Sequence, residues 1–226
     1  MSETENTQPT PADLAHALCE VGIELPDDRI GLLDRYRSVL WRWNEQINLT
    51  RHTTLEKFVN RDVVDSLELA KLLPERKRIL DIGTGGGVPG LILAICRPDL
   101  KVSVCESMQK KAKVVEAIVS ELHLPATVYG CRAEEVLQLQ TFDTLVARGV
   151  ASLSKILRWF EPHWSAFDQL LLIKGRKWVL ERGEARHNGL LKKLELRKAA
   201  TYLTPASEAE SVILSITSPK TTSRRG

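Results

Sequence analysis

The sequence has 226 residues, a formal net charge of +3 and 43% apolar residues, which suits one globular domain with a modest extension. No stretch approaches the roughly twenty apolar residues that cross a bilayer, and residues 1–11 lack the basic start and apolar segment of a secretory signal. The four cysteines show no C-x-x-C spacing, so we expect a cytoplasmic protein with no metal site, no disulfide and no membrane partner.

The first long region, residues 12–75, is predicted to be helical. Ile30, Leu33 and Leu40 recur at the spacing of one helix face, and Asp27 is placed to cap that helix. Thr, Ser, Pro and charged residues dominate both ends of the chain, which favours disorder there. The predicted division is a disordered N-terminus at 1–11, a helical N-terminal cap at 12–75, a core at 76–218 and a disordered basic tail at 219–226.

The next segment joins a short apolar strand, predicted at residues 79–82, to a glycine-rich turn that opens a helix. Gly83, Gly85, Gly87 and Gly90 lie in this turn. Because glycine has no Cβ atom, the backbone here can turn sharply and approach a ligand closely. The pattern predicts a loop that holds a nucleotide-like cofactor.

The glycines alone do not identify that cofactor. Gly85, Gly87 and Gly90 also satisfy the dinucleotide pattern G-x-G-x-x-G, with Glu106 about twenty residues downstream. Asp81 discriminates, because its carboxylate before the glycines would repel a pyrophosphate and attract the ammonium of a methionine moiety. We therefore favour S-adenosylmethionine over NAD. The alternative is that Asp81 only accepts hydrogen bonds from amides of the turn.

The second predicted strand, residues 101–105, ends immediately before Glu106. In an open α/β sheet, ligands bind outside the carboxyl ends of the strands, so Glu106 is expected to accept both hydroxyls of an adenosine ribose. Ser107 is predicted to cap the following helix, which runs to about Leu122. The alternative for Glu106 is a solvated acid that the helix dipole favours.

Two further strands are predicted at residues 126–131 and 143–147. The first leads into Arg132, Ala133 and Glu134, where backbone or acidic groups suit the adenine edge, although Glu134 is also typical of an exposed first-turn helix acid. The second leads into Arg148, which would then lie close to the transferable methyl group. Four strands in succession thus end in candidate ligand residues.

The remaining chain completes an α/β fold. Strands predicted near residues 196–203 and 211–217 are separated by a polar segment that contains Pro205, which suits an antiparallel hairpin at the edge of the sheet. The predicted fold is a Rossmann-like, doubly wound and mainly parallel sheet of about seven strands, with the N-terminal helices as a cap.

Positive charge is gathered in four patches, at residues 76–78, 110–113, 174–177 and 192–193. Any one patch is by default a solvated surface, but patches beside the cofactor would attract a polyanion such as RNA. We predict Lys174 as a phosphate contact, against the alternative of an ordinary strand-end lysine. Trp159, Trp164 and Trp178 are able to stack on bases, although core packing is more typical of tryptophan.

The motifs along the chain resemble those of the RsmG (GidB) family, the methyltransferases of small ribosomal subunit RNA. The resemblance covers residues 32–175 in the family's order and spacing. It rests on Trp43-Asn44, Asn48-Leu49-Thr50, Arg61 with Asp65-Ser66-Leu67, the glycine loop with Val88-Pro89-Gly90, Arg132-Ala133-Glu134, Arg148 with Ala151-Ser152-Leu153, and Lys174-Gly175.

This resemblance implies a reaction, a cofactor and a partner. The reaction is methylation at N7 of a guanine in the decoding-site loop of 16S rRNA, with S-adenosylmethionine as donor and 16S rRNA or the small ribosomal subunit as acceptor. Separately from the resemblance, we expect the protein to be a monomer. The implied cofactor contacts are Gly83, Val88, the backbone of Ala133 and Glu134, Arg148, and Glu106 on the ribose.

Two residues depart from the family pattern. Gly86 lies where the family often has proline, which is expected only to loosen the loop. Asp62 follows Arg61 where the family usually has histidine. This change replaces a group that can carry positive charge with an anion, so it puts in doubt any contact that the family makes through this position.

The implied chemistry needs no general base, because guanine N7 carries a lone pair and no proton. Catalysis then consists mainly of positioning, and Arg148 is expected to orient the cofactor or a phosphate rather than to transfer a proton. Three alternatives stay open: a nicotinamide-dependent oxidoreductase that uses the same glycines, an RNA-binding module without activity, and a methyltransferase with another acceptor.

Overall fold

The computed structural model describes residues 9–205 and 209–219. Helices come first: α1 at Pro11–Glu20, α2 at Asp27–Asn44 and α3 at Leu55–Lys57, which continues through a π-helix at Phe58–Val63 into α4 at Val64–Ala70. Thr10 and Asp13 form a capping box that begins α1. The disorder predicted for both ends of the chain falls mostly on residues 1–8 and 220–226, which lie outside the described residues.

A sheet of seven strands follows and confirms the predicted fold class. The strands are β1 at Arg78–Ile82, β2 at Lys101–Cys105, β3 at Ala126–Tyr129, β4 at Phe142–Arg148, β5 at Phe167–Gly175, β6 at Glu195–Thr204 and β7 at Ala209–Thr217. Their order is β3-β2-β1-β4-β5-β7-β6. β7 runs antiparallel to both neighbours, and the other neighbouring pairs are parallel. The predicted antiparallel hairpin is confirmed, and β7 is inserted between β5 and β6.

Helices pack on both faces of the sheet. They are α5 at Gly90–Cys96, α6 at Gln109–Leu122, α7 at Ala133–Leu139, α8 at Leu153–Phe160 and α9 at Trp178–His187. One buried cluster contains residues of α1, α2, α4, α5 and α6, and the other contains residues of α7, α8 and α9. Because the first cluster includes Leu14, Leu33 and Leu69 together with Ile79 and Val146 of the sheet, the N-terminal helices share a core with it.

Three local predictions differ from the structure. Asp27 is the first residue of α2 and not its cap; Pro26 precedes it, and no side chain caps this helix. β3 ends at Tyr129, two residues before the predicted end. β4 extends to Arg148, so this arginine belongs to the strand itself.

No helix among the described residues is long and apolar enough to cross a membrane.

Candidate active site

The carboxyl ends of the central strands lie at one edge of the sheet, and the candidate residues lie there. β1 pairs in parallel with β2 and β4. Parallel neighbours end at the same edge, outside which ligands bind in open α/β sheets. The structure therefore brings together Asp81, Glu106 and Arg148, and the charges of Glu106 and Arg148 act on the Asp81 carboxyl.

The glycine loop is shaped by the space available to it. Gly83 has a φ of +61°, and a Cβ atom there would lie 3.0 Å from Val150 Cγ1. A Cβ atom on Gly90 would lie 2.8 Å from Asp81 Oδ2 and 2.5 Å from Val104 Cγ1. Side chains are therefore excluded at both positions, which lets helix α5 begin directly against β1 and β2.

The Asp81 side chain holds this loop through hydrogen bonds. It is fully buried, and its Oδ2 accepts hydrogen bonds from Thr84 Oγ1 and from the Gly90 amide, the latter at 2.8 Å. Among the described residues, its Oδ1 has no hydrogen-bond partner. Burial raises the pKa of Asp81 to about 7, although the bonds from Thr84 and Gly90 oppose the rise. The side chain thus has a local structural role and still offers a buried acceptor.

Glu106 connects the glycine loop to helix α6. Its Oε2 accepts from the Gly85 amide at 3.2 Å, and its Oε1 accepts from the Met108 amide at 2.8 Å. The prediction that Ser107 caps α6 is wrong, because the N-cap is Met108 and no side chain caps this helix. The Glu106 carboxylate bonds the amide of that N-cap residue, and α6 begins at Gln109.

A small cleft of about 80 Å³ opens beside these two acids. Its walls include Gly83 after β1, Cys105 at the end of β2, and Ala133 and Glu134 at the start of α7. Trp159 of α8, which the sequence did not single out for this position, also lines it. Apolar walls with a few backbone groups suit a flat aromatic ring. Three predicted cofactor contacts, Gly83, Ala133 and Glu134, thus line one cleft.

Arg148 lies between two buried carboxylates of the N-terminal helices. Its Nη2 donates to Asp62 Oδ1 at 2.6 Å, and its Nη1 donates to Asp65 Oδ2 at 3.1 Å and to the Arg61 carbonyl at 3.2 Å. Burial opposes the charge of Arg148, but the two carboxylates outweigh it and raise the pKa of the guanidinium. The sequence placed Arg148 at this edge and did not identify these partners.

Asp62 has a defined place in the structure despite its departure from the family pattern. It belongs to the π-helix, is fully buried, and binds His52 Nδ1 as well as Arg148. Asp65 lies three residues later on the same helical face; its Oδ1 accepts from the Tyr202 hydroxyl of β6 at 2.6 Å. The anion at position 62 therefore serves as a partner for Arg148.

The N-terminal helices also hold the glycine loop. The Tyr36 hydroxyl of α2 donates to the Gly86 carbonyl at 2.9 Å. A Cβ atom on Gly86 would lie 2.8 Å from Leu40 Cδ1, so helix α2 packs closely against this residue. The loosening of the loop expected from Gly86 stays a prediction. Val88, a further predicted cofactor contact, is buried, and its amide donates to the Thr84 carbonyl at 3.1 Å.

Lys174 lies at the end of β5 and is already engaged. Its ammonium donates to the Ala151 carbonyl at 2.6 Å and to Glu181 Oε2 at 2.8 Å, and only 11% of its side chain is exposed. Glu181 also accepts from the Leu153 amide at 2.7 Å. Lys174 thus connects the segment after Arg148 to helix α9, and a phosphate contact by Lys174 stays a prediction.

Two of the four basic patches lie at the edge formed by the carboxyl ends of the parallel strands, and the other two lie at the edge formed by the amino ends. Residues 110–113 follow β2 and residues 174–177 follow β5, so both lie toward the edge that carries Asp81 and Arg148. Residues 76–78 begin β1 and residues 192–193 precede β6, at the opposite edge. Within residues 9–205 and 209–219, no group of three or more His, Cys, Asp or Glu could hold a metal ion.

Comparison with known sequences gives a consistent family. Residues 29–208 match the model of GidB, rRNA small subunit methyltransferase G. The chain is 55% identical over 192 residues to ribosomal RNA small subunit methyltransferase G of Rhodopirellula baltica, covering 84% of this chain and 83% of that protein. It is 37% identical over 166 residues to the protein of the same name from Chromobacterium violaceum, covering 73% and 79%.

Comparison with solved structures agrees on the fold. An O-methyltransferase from Bacillus cereus, solved in complex with SAH, superposes with a TM-score of 0.60 and 16% identity over 90% of this chain and 96% of that one. TrmK of M. capricolum, solved with S-adenosylhomocysteine, superposes with a TM-score of 0.53 and 16% identity over 68% and 67%.

Proposed function

We propose that this chain, which belongs to the GidB family of rRNA small subunit methyltransferase G, transfers the methyl group of S-adenosylmethionine to N7 of a guanine in the decoding-site loop of 16S rRNA. The observation that carries the cofactor assignment is the buried Oδ1 of Asp81, which has no partner among the described residues. Membership of a methyltransferase family decides against the nicotinamide-dependent oxidoreductase.

The residues at the edge of the sheet fit this cofactor. Asp81 Oδ1 would accept from the ammonium of the methionine moiety, which supplies the donor that this buried oxygen lacks. Glu106 would accept from the ribose hydroxyls, because each carboxylate oxygen can accept a second bond besides those from Gly85 and Met108. The adenine would enter the cleft between Cys105 and Ala133. Solved S-adenosylhomocysteine complexes of the same fold support this assignment.

The charge of the cofactor also fits the site. With its sulfonium and ammonium groups, S-adenosylmethionine brings positive charge beside Asp81, whose pKa burial raises to about 7. A cation beside Asp81 would favour the ionised carboxylate and lower its pKa. Binding of S-adenosylmethionine and ionisation of Asp81 therefore favour each other. We expect S-adenosylmethionine to bind more weakly at acidic pH.

The reaction requires positioning and no proton transfer from the acceptor. When bound, S-adenosylmethionine would supply an electrophilic methyl group, whose carbon–sulfur bond would break as its bond to guanine N7 formed, so that the positive charge would pass from sulfur to the base and S-adenosylhomocysteine would leave. Guanine N7 has a lone pair and no proton, so the residues act by holding the reactants in line, an effect worth up to about 7–11 kcal/mol. Arg148, held by Asp62 and Asp65, is the proposed positioning contact at this edge.

The acceptor would approach over the basic patches at 110–113 and 174–177, which lie toward the same edge. Lysine and arginine there would neutralise phosphates and make binding sensitive to salt. We further propose that residues 12–75 act as a helical cap on a methyltransferase core at 76–218, and that the protein works as a monomer in the cytoplasm.

Methyl transfer to small ribosomal subunits tests this function. Purified protein is incubated with labelled S-adenosylmethionine and 30S subunits from a strain that lacks the enzyme, and the label is located by RNA digestion and mass spectrometry. Label at N7 of one 16S guanine is the expected result. Label on another atom or RNA would contradict the acceptor, and absence of cofactor binding would contradict the enzyme assignment. Naked 16S rRNA in a parallel reaction shows which form is the substrate.

A further inference from the structure

The loop between α2 and α3 brings His52 to the buried carboxylate that holds Arg148. The Nδ1 atom of His52 lies 2.7 Å from Asp62 Oδ1, and Arg148 Nη2 lies 2.6 Å from the same oxygen. The other oxygen, Oδ2, is buried and has no hydrogen-bond partner among the described residues. His52 and Arg148 therefore meet at one atom, which joins the N-terminal loop to the end of β4.

From this geometry we propose that His52 is a positioning residue for methyl transfer, which acts through Asp62 on Arg148. The proposal rests on the proposed function and assigns a role to a loop side chain outside the cofactor cleft. Asp62 is fully buried, and its side chain contacts Arg148 and His52. A buried carboxylate depends on its partners, so the orientation of Asp62 follows both of them.

The two carboxylates that hold Arg148 are supported differently. Asp65 is held by the Tyr202 hydroxyl, and Arg61 Nη2 lies 3.9 Å from its Oδ2. Among the described residues, the second side-chain partner of Asp62 is His52. The guanidinium is planar and binds through fixed directions, so a rotation of either carboxylate displaces it. His52 therefore controls the orientation of Asp62, which has less support than Asp65, the other carboxylate that binds Arg148.

Hydrogen bonds to backbone atoms hold the loop around His52. The His52 amide donates to Thr50 Oγ1 and its carbonyl accepts from Trp41 Nε1, both at 3.0 Å. Asn44 Oδ1 accepts from the amides of Leu49 and Thr50 at 2.8 and 2.9 Å. Because these bonds involve backbone atoms of residues 49, 50 and 52, a side-chain substitution at position 52 is expected to test the imidazole and to leave the loop fold in place.

The kinetic test is a double-mutant cycle on positions 52 and 62. His52→Ala is expected to lower kcat for methyl transfer to 30S subunits by about tenfold, within the range for a displaced positioning group, with the Kd for S-adenosylmethionine unchanged. His52→Asn keeps a donor near the Nδ1 position and should restore most of kcat. In the Asp62→Asn background, His52→Ala should cost little more. His16→Ala, which removes an exposed pair with Glu20, is the matched control.

A spectroscopic measurement makes the result independent of the acceptor. The guanidinium resonance of Arg148 is assigned by its loss in Arg148→Lys, and it should shift in His52→Ala and Asp62→Asn but not in His16→Ala. An unshifted resonance, a wild-type kcat in His52→Ala, or a full loss retained in the Asp62→Asn background would each overturn the proposal. Wild-type protein that leaves 30S subunits unmethylated while the resonance shifts would instead overturn the proposed acceptor.

Discussion

The two halves of the candidate site are assembled in different ways. Around the glycine loop, Asp81 binds Thr84 and Gly90, and Glu106 binds Gly85, so partners lie within about two dozen residues of one another. Around Arg148, partners lie 83 to 87 positions away along the chain. The carboxylates of the first half bind within a local motif, which Tyr36 of α2 contacts at Gly86, whereas the charge partners of Arg148 come from the N-terminal helices.

The largest effect on stability is expected from removing Arg148, whose partners are distant in the sequence. Arg148→Ala leaves Asp62 and Asp65 buried without their shared cation, so the free energy of unfolding should fall by about 3–5 kcal/mol, as measured in urea. Methyl transfer should fall as well. Adding Asp62→Asn should recover part of the lost stability, because it removes one unpaired charge.

The control for this change is Arg197→Ala, which breaks an exposed pair with Glu195 and should change stability little. If Arg148→Ala lowers the free energy of unfolding no more than this control does, the ion pairs of Arg148 with Asp62 and Asp65 contribute nothing to the docking of the N-terminal helices.

In the local half, Asp81→Asn should separate stability from function. Because the folded pKa is raised from 3.8 to about 7, the unfolded chain loses its proton first, and wild-type stability falls as pH rises from about 4 to 7. Over this pH range, the free energy of unfolding of the wild-type protein falls by about 4 kcal/mol. Asp81→Asn should therefore be more stable than wild type at pH 8 and equal to it near pH 4, while binding S-adenosylmethionine about 10- to 100-fold more weakly.

Unfolding curves at pH 4, 6 and 8 and calorimetric binding at pH 8 measure both effects. Asp143→Asn is the matched control, since burial raises the pKa of Asp143 but hydrogen bonds and charges from Arg78 and Lys77 outweigh it and hold the pKa below its usual value. This control should lose stability at pH 8. Unchanged binding in Asp81→Asn would leave Asp81 with only its role in bracing the loop.

A smaller effect distinguishes side-chain from backbone contacts within the local half. Glu106→Gln should weaken S-adenosylmethionine binding by about tenfold, because the ribose hydroxyls and two backbone amides lose a charged acceptor. Glu134→Gln should leave binding unchanged, since its proposed contact is through the backbone. Equal losses in the two variants, by isothermal titration, would contradict the ribose assignment of Glu106.

The smallest effect concerns the surface around the site. Lys110→Ala, at the edge that carries Asp81, should reduce the slope of log K against log salt concentration for 16S rRNA binding by about 0.7–0.9, the value of one phosphate contact. Lys193→Ala removes a lysine at the opposite edge and should leave the slope unchanged. The reverse result would place the RNA on the other edge.

The sequence alone determined the architecture and the edge of the sheet at which the candidate site residues lie. Strand periodicity and the glycine turn predicted β1, β2 and the antiparallel last pair, because these signals are local and each element carries its own pattern. Asp81, Glu106 and Arg148 were placed at one edge because strands that are parallel neighbours end together. Ser107 and Asp27 were predicted as helix caps wrongly, since in both helices the N-cap residue has no side-chain cap.

Tertiary structure alone decided what Arg148 and Lys174 bind. Nothing near Arg148 in the sequence indicates Asp62, Asp65 or the contribution of His52, because partners about 85 to 100 positions apart meet only when the π-helix packs against the end of β4. Lys174 lies in a basic patch of the sequence and was predicted as a phosphate contact, whereas the folded structure pairs it with Glu181. Periodicity specifies which face of an element is buried, whereas the partner of a buried charge depends on which elements meet there.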